Sequence, residues 1–170
     1  MENNHNPLPS ITLQPIGVIH TPFTQPQGTP IQPTAARDIP GTVTVYPEFV
    51  DGVADLDGFS HIVLLYHFHR VERTALRVTP FLDEVERGVF ATRAPVRPNH
   101  IGLSVVRLEK VNGDTLHILD VDILDGTPLL DIKPYVRMFE HGEPFRQGWL
   151  EVYQDDMPDI SADERFDTQS

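Results

Sequence analysis

The chain has 170 residues, a formal net charge of −12 and no cysteine. This length suits one domain with a sizeable core, and the lack of cysteine excludes disulfides, thiolate metal sites and cysteine nucleophiles. No stretch approaches the ~20 apolar residues of a membrane helix, and the first ten residues lack the basic start and apolar core of a secretory signal. We therefore expect a cytoplasmic protein with no membrane partner.

Charge is distributed unevenly along the chain. From residue 140 onward nine acidic residues accompany two arginines, whereas residues 70–97 contain six arginines and four acidic residues. The overall acidity argues against nonspecific nucleic-acid binding, so the basic segment is the place where composition favours an anionic partner. We expect a flexible N-terminus over residues 1–10, a β-barrel domain over residues 11–139 and an acidic C-terminal extension over residues 140–170.

The first predicted elements are short strands joined by a proline-rich connection. Nine of the sixteen prolines lie in residues 1–47, and each proline removes a backbone donor and fixes φ, so the segment between "IGVIHT" and "GTVTVYP" cannot be helical. Residues 47–59 predict a short helix beginning at Pro47. Residues 61–69 form a nearly continuous apolar run, which predicts a strand buried on both faces.

The second half of the chain predicts further strands. Residues 79–88, "TPFLDEVERG", have the N-cap, early acids and final glycine of a helix, and residues 89–92 resemble the start of a strand. Two alternating strands over residues 102–124 flank Asn112-Gly113, a pair that favours a type I′ hairpin turn. An extended segment follows Asp125. Strands with short helical insertions predict a mainly β fold, a mostly antiparallel closed β-barrel with short peripheral helices.

The loop "TRAPVRPNH", residues 92–100, places two arginines beside prolines. Proline restricts the backbone, so Arg93 and Arg97 are expected at a fixed separation, as a fork that suits a carboxylate or phosphate. The alternative is two surface ion pairs of little energetic value.

Three histidines form a second polar group. His61, His67 and His69 fall on one face of the predicted strand, an arrangement that can bind a metal. No H-E-x-x-H motif or pair of acidic ligands accompanies them, so histidines hydrogen-bonded within the core are the better-supported interpretation.

The segment "DVDILDGTPLLDIKPY" concentrates four carboxylates with a lysine and a tyrosine. Asp120 and Asp122 are predicted to share one strand face, and Asp125 precedes a glycine, where an aspartate can bond to its own backbone. A turn does not account for the whole set, which also includes Asp131, Lys133 and Tyr135. Lys133 is one of only two lysines in the chain, which favours a functional role for it.

Four stretches resemble the TsaA-like, or TrmO, family in order and spacing: "IGVIHTPF", "GFSHIVLLYHFHR", "GVFATRAPVRPNHIGLSVVRLEKV" and "DILDGTPLLDIKPY". Together they cover about residues 14–136. The resemblance implies an S-adenosylmethionine-dependent methyltransferase built on a β-barrel. Its better-known members methylate N6-threonylcarbamoyladenosine beside the tRNA anticodon and work as homodimers. The chain contains no G-x-G-x-x-G or P-loop motif, which agrees with a cofactor site of a different kind.

The resemblance also assigns roles to residues. Cofactor contacts carry over to Pro33, Thr34, Ala35, His69, Arg70, Arg93, Leu103, Asp122, Ile123, Leu124 and Asp125. The carboxylates can accept from the ribose hydroxyls or the amino group of the cofactor, and Arg93 can pair with its carboxylate or with a substrate anion. We assign substrate binding to Arg97 and Asn99. Asp131 and Tyr135 are the candidate catalytic bases or acceptors, with Lys133 tuning them or holding a phosphate.

These observations predict N6-methylation of threonylcarbamoyladenosine in the tRNA anticodon loop, with S-adenosylmethionine as cofactor, no metal and a homodimeric enzyme. Two alternatives remain open. One is a barrel methyltransferase that acts on a small molecule, and the other is a non-catalytic S-adenosylmethionine-binding module.

Overall fold

The computed structural model describes residues 10–30, 36–81, 84–136 and 148–149. The strands of this part are β1 (Gly17–His20), β2 (Pro40–Val45), β3 (His61–His67), β4 (Arg77–Val78), β5 (Arg87–Gly88), β6 (Ile101–Asn112), β7 (Thr115–Leu119) and β8 (Thr127–Pro134). Short 3-10 helices occupy Pro47–Val53, Leu56–Gly58 and Val89–Ala91. Six strands close into an antiparallel barrel in the order β1-β2-β7-β6-β3-β8, and β4 pairs with β5 in a separate hairpin. The predicted mainly β fold with a closed antiparallel barrel is confirmed.

The barrel interior is built by strict alternation along the strands. In β3, Ile62, Leu64 and Tyr66 are buried, while the residues between them are only partly covered. This pattern corrects the expectation that the strand is buried on both faces. A barrel wall has one interior, so outward residues such as Val63 and Leu65 reach only intermediate burial.

Three long connections meet at one end of the barrel. Because neighbouring strands run antiparallel, residues 21–39 (β1 to β2), 68–100 (β3 to β6) and 120–126 (β7 to β8) all leave from the same rim. We call this end the mouth and residues 68–100 the excursion. The opposite end carries the two 3-10 helices of residues 47–58 and the tight turn between β6 and β7. The topology therefore gathers most of the predicted site residues at the mouth.

The excursion differs from the expected helix. The described residues of 79–88 contain no helical turn, and Arg87–Gly88 instead pairs with Arg77–Val78. A helix of this length is marginal without a packed face, whereas the hairpin is supported by the Arg77–Glu86 ion pair at 2.7 Å. Residues 89–91 form a 3-10 turn rather than a strand. A small apolar cluster of Val78, Val89, Ala94 and Val96 gives the excursion its own core.

Two further elements refine the expectations. The predicted short helix after Pro47 is present in 3-10 form. In the predicted hairpin Asn112 pairs with Thr115, so the central turn residues are Gly113 and Asp114, and only Gly113 has a positive φ, 64°. This is the pattern of a type II′ turn, in which glycine takes the first central position, and not of the expected type I′ turn.

The ends of the chain fall largely outside the described residues. The predicted flexible N-terminus and acidic C-terminal extension lie there almost entirely. In the part of the chain that the structure describes, no helix combines the length and apolar character needed to cross a membrane.

Candidate functional site

A buried polar network lies at the mouth of the barrel. The side chain of Ser104, 1% exposed inside β6, donates to Oδ1 of Asp122 at 2.7 Å, and its Oγ lies 3.0 Å from the hydroxyl of Tyr66. Burial raises the pKa of Asp122 to about 6, against the smaller opposing effects of the Ser104 hydrogen bond, its own backbone N–H and the nearby Arg93. The carboxylate of Asp122 is thus held at the mouth by a hydrogen bond from inside the barrel.

Arg93 is the cation that faces this network. Its charge acts on both Asp122 and Tyr66. The side chain is exposed, and within the described residues no acceptor takes a hydrogen bond from it. The mouth therefore combines a buried carboxylate acceptor with an exposed arginine.

Arg97 is used differently from Arg93. Its Nη1 donates to the carbonyls of Thr92 at 2.9 Å and Val89 at 3.2 Å, and its guanidinium lies 5.8 Å from the ring centroid of Phe90. The expectation of two arginines forming one fork is wrong, because Arg97 folds back and holds the loop that carries Arg93. Asn99 is exposed in a turn at the end of the same loop. A substrate role for Arg97 and Asn99 stays a prediction.

Each of the four carboxylates of the acidic segment has its own partners. Asp120 does not share a strand face with Asp122, because β7 ends at Leu119 and Asp120 turns outward with a φ of 67°. The partners, in chain order, are Arg107 for Asp120, Ser104 for Asp122, His20 and the backbone N–H of Thr21 for Asp125, and Lys133 for Asp131. The backbone hydrogen bond from Thr21 is the largest cause of the lowered pKa of Asp125. Only Asp122 faces the interior network.

His69 and Arg70 lie at the mouth as expected. Nδ1 of His69 is 3.3 Å from the hydroxyl of Thr127, and burial is the main cause of its lowered pKa, followed by the charge of Arg70. Arg70 donates to the carbonyl of Thr24 at 2.7 Å and so ties the excursion to the first connection. Both residues follow β3 in the excursion, the connection that also carries Arg93.

The remaining predicted cofactor residues have mixed positions. The side chain of Ile123 belongs to the barrel core, and its carbonyl accepts from Thr21 at 2.7 Å. The carbonyl of Leu124 accepts from Thr127 at 2.7 Å, and Leu103 is 45% exposed on the outer face of β6. Their contacts with a cofactor stay predictions, and the predicted residues of the proline-rich loop, Pro33, Thr34 and Ala35, lie outside the described residues.

The predicted catalytic residues are separated from the mouth within one chain. β8 runs away from the mouth, and the backbone N–H of Tyr135 bonds to the carbonyl of His61 at the far end of β3. A seven-residue strand spans ~20 Å, so Tyr135 is about a barrel length from His69. Asp131 and Lys133 pair with each other at 2.7 Å on the outer face of β8. A catalytic role for Asp131, Lys133 and Tyr135 stays a prediction.

The three histidines of the β3 region are not core residues. His61 and His67 are half-buried on the outer face of β3, and His69 follows the strand. His61 lies beside Ser60 and Tyr135, while the ring centroid of His67 lies 6.1 Å from that of His100. Among the described residues no three histidine or acidic side chains are grouped as metal ligands.

Comparison with known proteins decides the family. The profile described as "tRNA-methyltransferase O N-terminal domain" matches residues 18–141, which include the whole barrel except its first residue. The chain belongs to the TrmO N-terminal domain family. The resemblance drawn from the four sequence stretches is confirmed.

Relatives of this TrmO-family chain carry related names. It is 56% identical over 156 residues to a "Probable S-adenosyl-L-methionine-binding protein" of Pyrococcus abyssi, covering 92% of the chain and 85% of that protein. It is 37% identical over 140 residues to the tRNA (adenine(37)-N6)-methyltransferase of Mus musculus, covering 77% of the chain and 32% of the mouse protein. The crystal structure of TrmO from Pseudomonas aeruginosa matches with a TM-score of 0.69 and 39% identity, covering 82% of the chain and 62% of that structure. The chain thus spans less than two thirds of the last two proteins.

Two polar residues of this TrmO-family site escaped the sequence analysis. Tyr66 and Ser104 sit on strands whose other inward residues are apolar or glycine. The available signal was that Gly102 and Ser104, two residues apart on the inner face of β6, lie beside Tyr66 on β3. This signal can be recognised only when the strand register, with Tyr66 opposite Gly102, is known.

Proposed function

We propose that this chain binds S-adenosylmethionine at the mouth of the barrel and uses it to N6-methylate threonylcarbamoyladenosine in the tRNA anticodon loop. The single observation that carries the proposal is that the charge of Arg93 acts on the buried Asp122 carboxyl, at the end of the barrel of a TrmO-family chain. The names of the Pyrococcus and mouse relatives support the cofactor and the acceptor, respectively.

The charges at the mouth fit the amino-acid end of the cofactor. That end is a zwitterion, with an ammonium that needs acceptors and a carboxylate that needs donors. Asp122 offers a carboxylate held in place by Ser104 at 2.7 Å, and Arg93 offers unpaired guanidinium donors within the described residues. The Asp122 carboxylate also makes the local potential negative, which suits a sulfonium cation.

Bound S-adenosylmethionine supplies a methyl group on a positively charged sulfur. The contribution of the chain is to orient that group, hold the acceptor in line and exclude water. Three connections converge at the mouth and are tied together by Arg70 on Thr24 and by His20 and Thr21 on Asp125. These hydrogen bonds hold the three connections in place relative to the barrel.

The proton of the acceptor nitrogen needs a base or a hydrogen-bond acceptor. Asp131 and Tyr135, with Lys133, remain the proposed group, but β8 carries them along the outer wall of the chain. Within one chain these residues lie away from the mouth, so they can act only at the mouth of a second copy. Their catalytic role therefore requires the proposed homodimer.

The cytoplasmic location proposed from the sequence fits a tRNA substrate.

The acceptor is proposed from the chemistry of the excursion. A threonylcarbamoyl group carries a carboxylate, and arginine is well suited to bind it. Arg97 commits Nη1 to loop carbonyls, so its Nε and Nη2 donors would serve the substrate, with Asn99 beside them. An unstacked anticodon-loop base can be read in such a pocket.

The deciding experiment compares two otherwise identical tRNAs, one carrying threonylcarbamoyladenosine and one with plain adenosine. Labelled S-adenosylmethionine and metal-stripped protein are used. We expect methyl transfer only to the modified tRNA. Equal labelling of both tRNAs would contradict the proposed dependence on threonylcarbamoyl.

A second candidate is favoured by the net charge of −12. An acidic protein is a poor generic partner for RNA, so a small-molecule acceptor or a non-catalytic binding role is the runner-up. Cofactor binding by calorimetry without labelling of either tRNA would select this second candidate. Absence of cofactor binding would reject both.

A further inference from the structure

Apart from Thr127 on β8, the described inward side chains of the barrel are aliphatic except at one place. The buried residues of β1, β2 and β7 are Ile19, Val43, Val45, Leu116 and Ile118. On β3 and β6, inward positions close to the mouth instead hold Tyr66 and Ser104, which are 5% and 1% exposed. A buried hydroxyl costs free energy unless it is hydrogen-bonded, so packing alone gives no reason for two of them here.

The backbone of β6 makes room for the tyrosine. Gly102 lies opposite Tyr66 in the sheet register, and a Cβ at position 102 would clash with the Tyr66 ring. The glycine lets the ring lie across β6, so that its hydroxyl reaches Oγ of Ser104 two residues further along. Three inward positions, those of Tyr66, Gly102 and Ser104, together therefore place the hydroxyl oxygen of Tyr66.

The hydrogen bonds of this group run in one direction. An ionised carboxylate only accepts, so Ser104 donates to Asp122 at 2.7 Å, and its Oγ then accepts from the Tyr66 hydroxyl at 3.0 Å. Burial raises the pKa of Tyr66 above its ordinary value, so the tyrosine keeps its proton. The chain of donors ends on the carboxylate that faces Arg93.

We propose that Tyr66 and Ser104 are positioning residues, which hold the carboxylate of Asp122 in the orientation that receives the cofactor. This inference rests on the proposed cofactor site and extends it to two residues that lie inside the barrel. Neither residue touches the cofactor. Each acts by fixing one oxygen of Asp122 and by favouring its charged form, since a hydrogen bond to a carboxylate stabilises the ionised state.

The test uses two small deletions with matched controls. Tyr66→Phe removes one oxygen and keeps the ring, and Ser104→Ala removes the central link. Tyr46→Phe and Ser60→Ala are the controls, because both residues lie toward the far end of the barrel. Cofactor affinity is measured by calorimetry between pH 5 and 8, and the Asp122 carboxyl is titrated by NMR without cofactor.

For the wild type, we expect affinity to fall as the pH drops through about 6, where Asp122 takes up a proton. Ser104→Ala should weaken binding roughly tenfold and Tyr66→Phe roughly threefold, consistent with hydrogen bonds to a charged group and to a neutral one. Both variants should move the Asp122 titration to higher pH, and the double variant should lose less than the two single losses combined. The controls should match the wild type.

The NMR titration isolates Asp122 from its neighbours. The charged and titratable groups that face it are Arg93 from the excursion and Tyr66 from β3, and the raised pKa of Tyr66 keeps that residue protonated. His69 at the same mouth is followed by its own resonances. An unchanged Asp122 titration in folded Tyr66→Phe protein overturns the inference, even if Ser104→Ala fails to fold. A wild type that binds no cofactor, with shifted titrations in the variants, rejects the proposed function while the hydrogen-bond chain stands.

Discussion

Arg93 and Arg97 lie four residues apart in one loop, yet their side chains serve different purposes. Arg97 spends Nη1 on carbonyls of its own loop, including that of Thr92 at 2.9 Å. Arg93 makes no such bond and instead acts on Asp122 across the mouth. Arg97 thus stabilises the loop that carries Arg93. The prolines of the loop do not provide these hydrogen bonds.

Alanine substitutions should separate these two roles. Arg93→Ala is expected to weaken cofactor binding by about 1.5–3 kcal/mol, the range for hydrogen bonds with charged groups, while thermal unfolding is unchanged. Arg97→Ala should instead lower the stability of the excursion, seen as faster amide exchange over residues 89–97. Arg77→Ala, in the same excursion but paired with Glu86, is the control. Normal affinity in folded Arg93→Ala protein would remove this residue from the site.

At the scale of the elements, the strands were predictable and the excursion was not. Alternation of β-branched and polar residues reports burial on one face, and it located β2, β6 and β7 from the sequence. Residues 79–88 carry helix-like termini, but Arg87–Gly88 pairs with Arg77–Val78, a contact that local sequence signals do not encode. The expected register of the β6–β7 turn was off by one residue for a similar reason, because strand pairing and not the Asn-Gly pair sets it.

The residues of the candidate site could be named from the sequence where they lie in connections and not where they lie in the barrel. The family resemblance assigned Asp122, His69 and Arg93, which the topology brings to one mouth. Tyr66 and Ser104 were missed, because an inward serine on an apolar strand has no local signature. Asp131 was grouped with Asp122 by proximity in sequence, but the intervening turn and β8 send it to the outer wall.

One ion-pair cluster joins two of the connections at the mouth. Arg107, on the outer face of β6, bonds both oxygens of Asp120, at 2.6 and 2.9 Å, and also binds Asp38. The backbone N–H of Asp38 donates to Asp120 at 2.8 Å, and both aspartates have positive φ, 62° and 67°. This left-handed backbone is unfavourable for a residue with a Cβ, so the cluster compensates for a turn that each connection needs.

Removing the shared arginine should loosen both connections together. In Arg107→Gln we expect the amides of Asp38 and Val121 to exchange roughly tenfold faster, the size of one net hydrogen bond, because they bond to Asp120 and Ile39. Hydrogen exchange by NMR is the measurement. Arg77→Gln, which loses the Glu86 pair, should affect the excursion only. Unchanged exchange at both amides would show that the backbone turns hold without Arg107.

On the scale of the whole molecule, the acidic charge and the basic excursion have opposite effects on an RNA partner. The chain carries −12 overall, while residues 70–97 carry six arginines. Several of these arginines are engaged by the protein itself: Arg70 with the Thr24 carbonyl, Arg77 with Glu86, Arg87 over the ring of Trp149 and Arg97 with loop carbonyls. Few guanidinium groups are therefore left to neutralise phosphates.

This distribution predicts a weak salt dependence of tRNA binding. Each phosphate neutralised in a single-stranded loop contributes about −0.7 to the slope of log affinity against log salt. With two or three contacts the slope should be roughly −2, measured by fluorescence anisotropy from low to moderate salt. Lys110→Ala, on β6 and outside the excursion, should leave the slope unchanged. A slope several times steeper would mean that phosphate contacts dominate, and recognition would then rest on the RNA backbone rather than on the modified base held at the mouth.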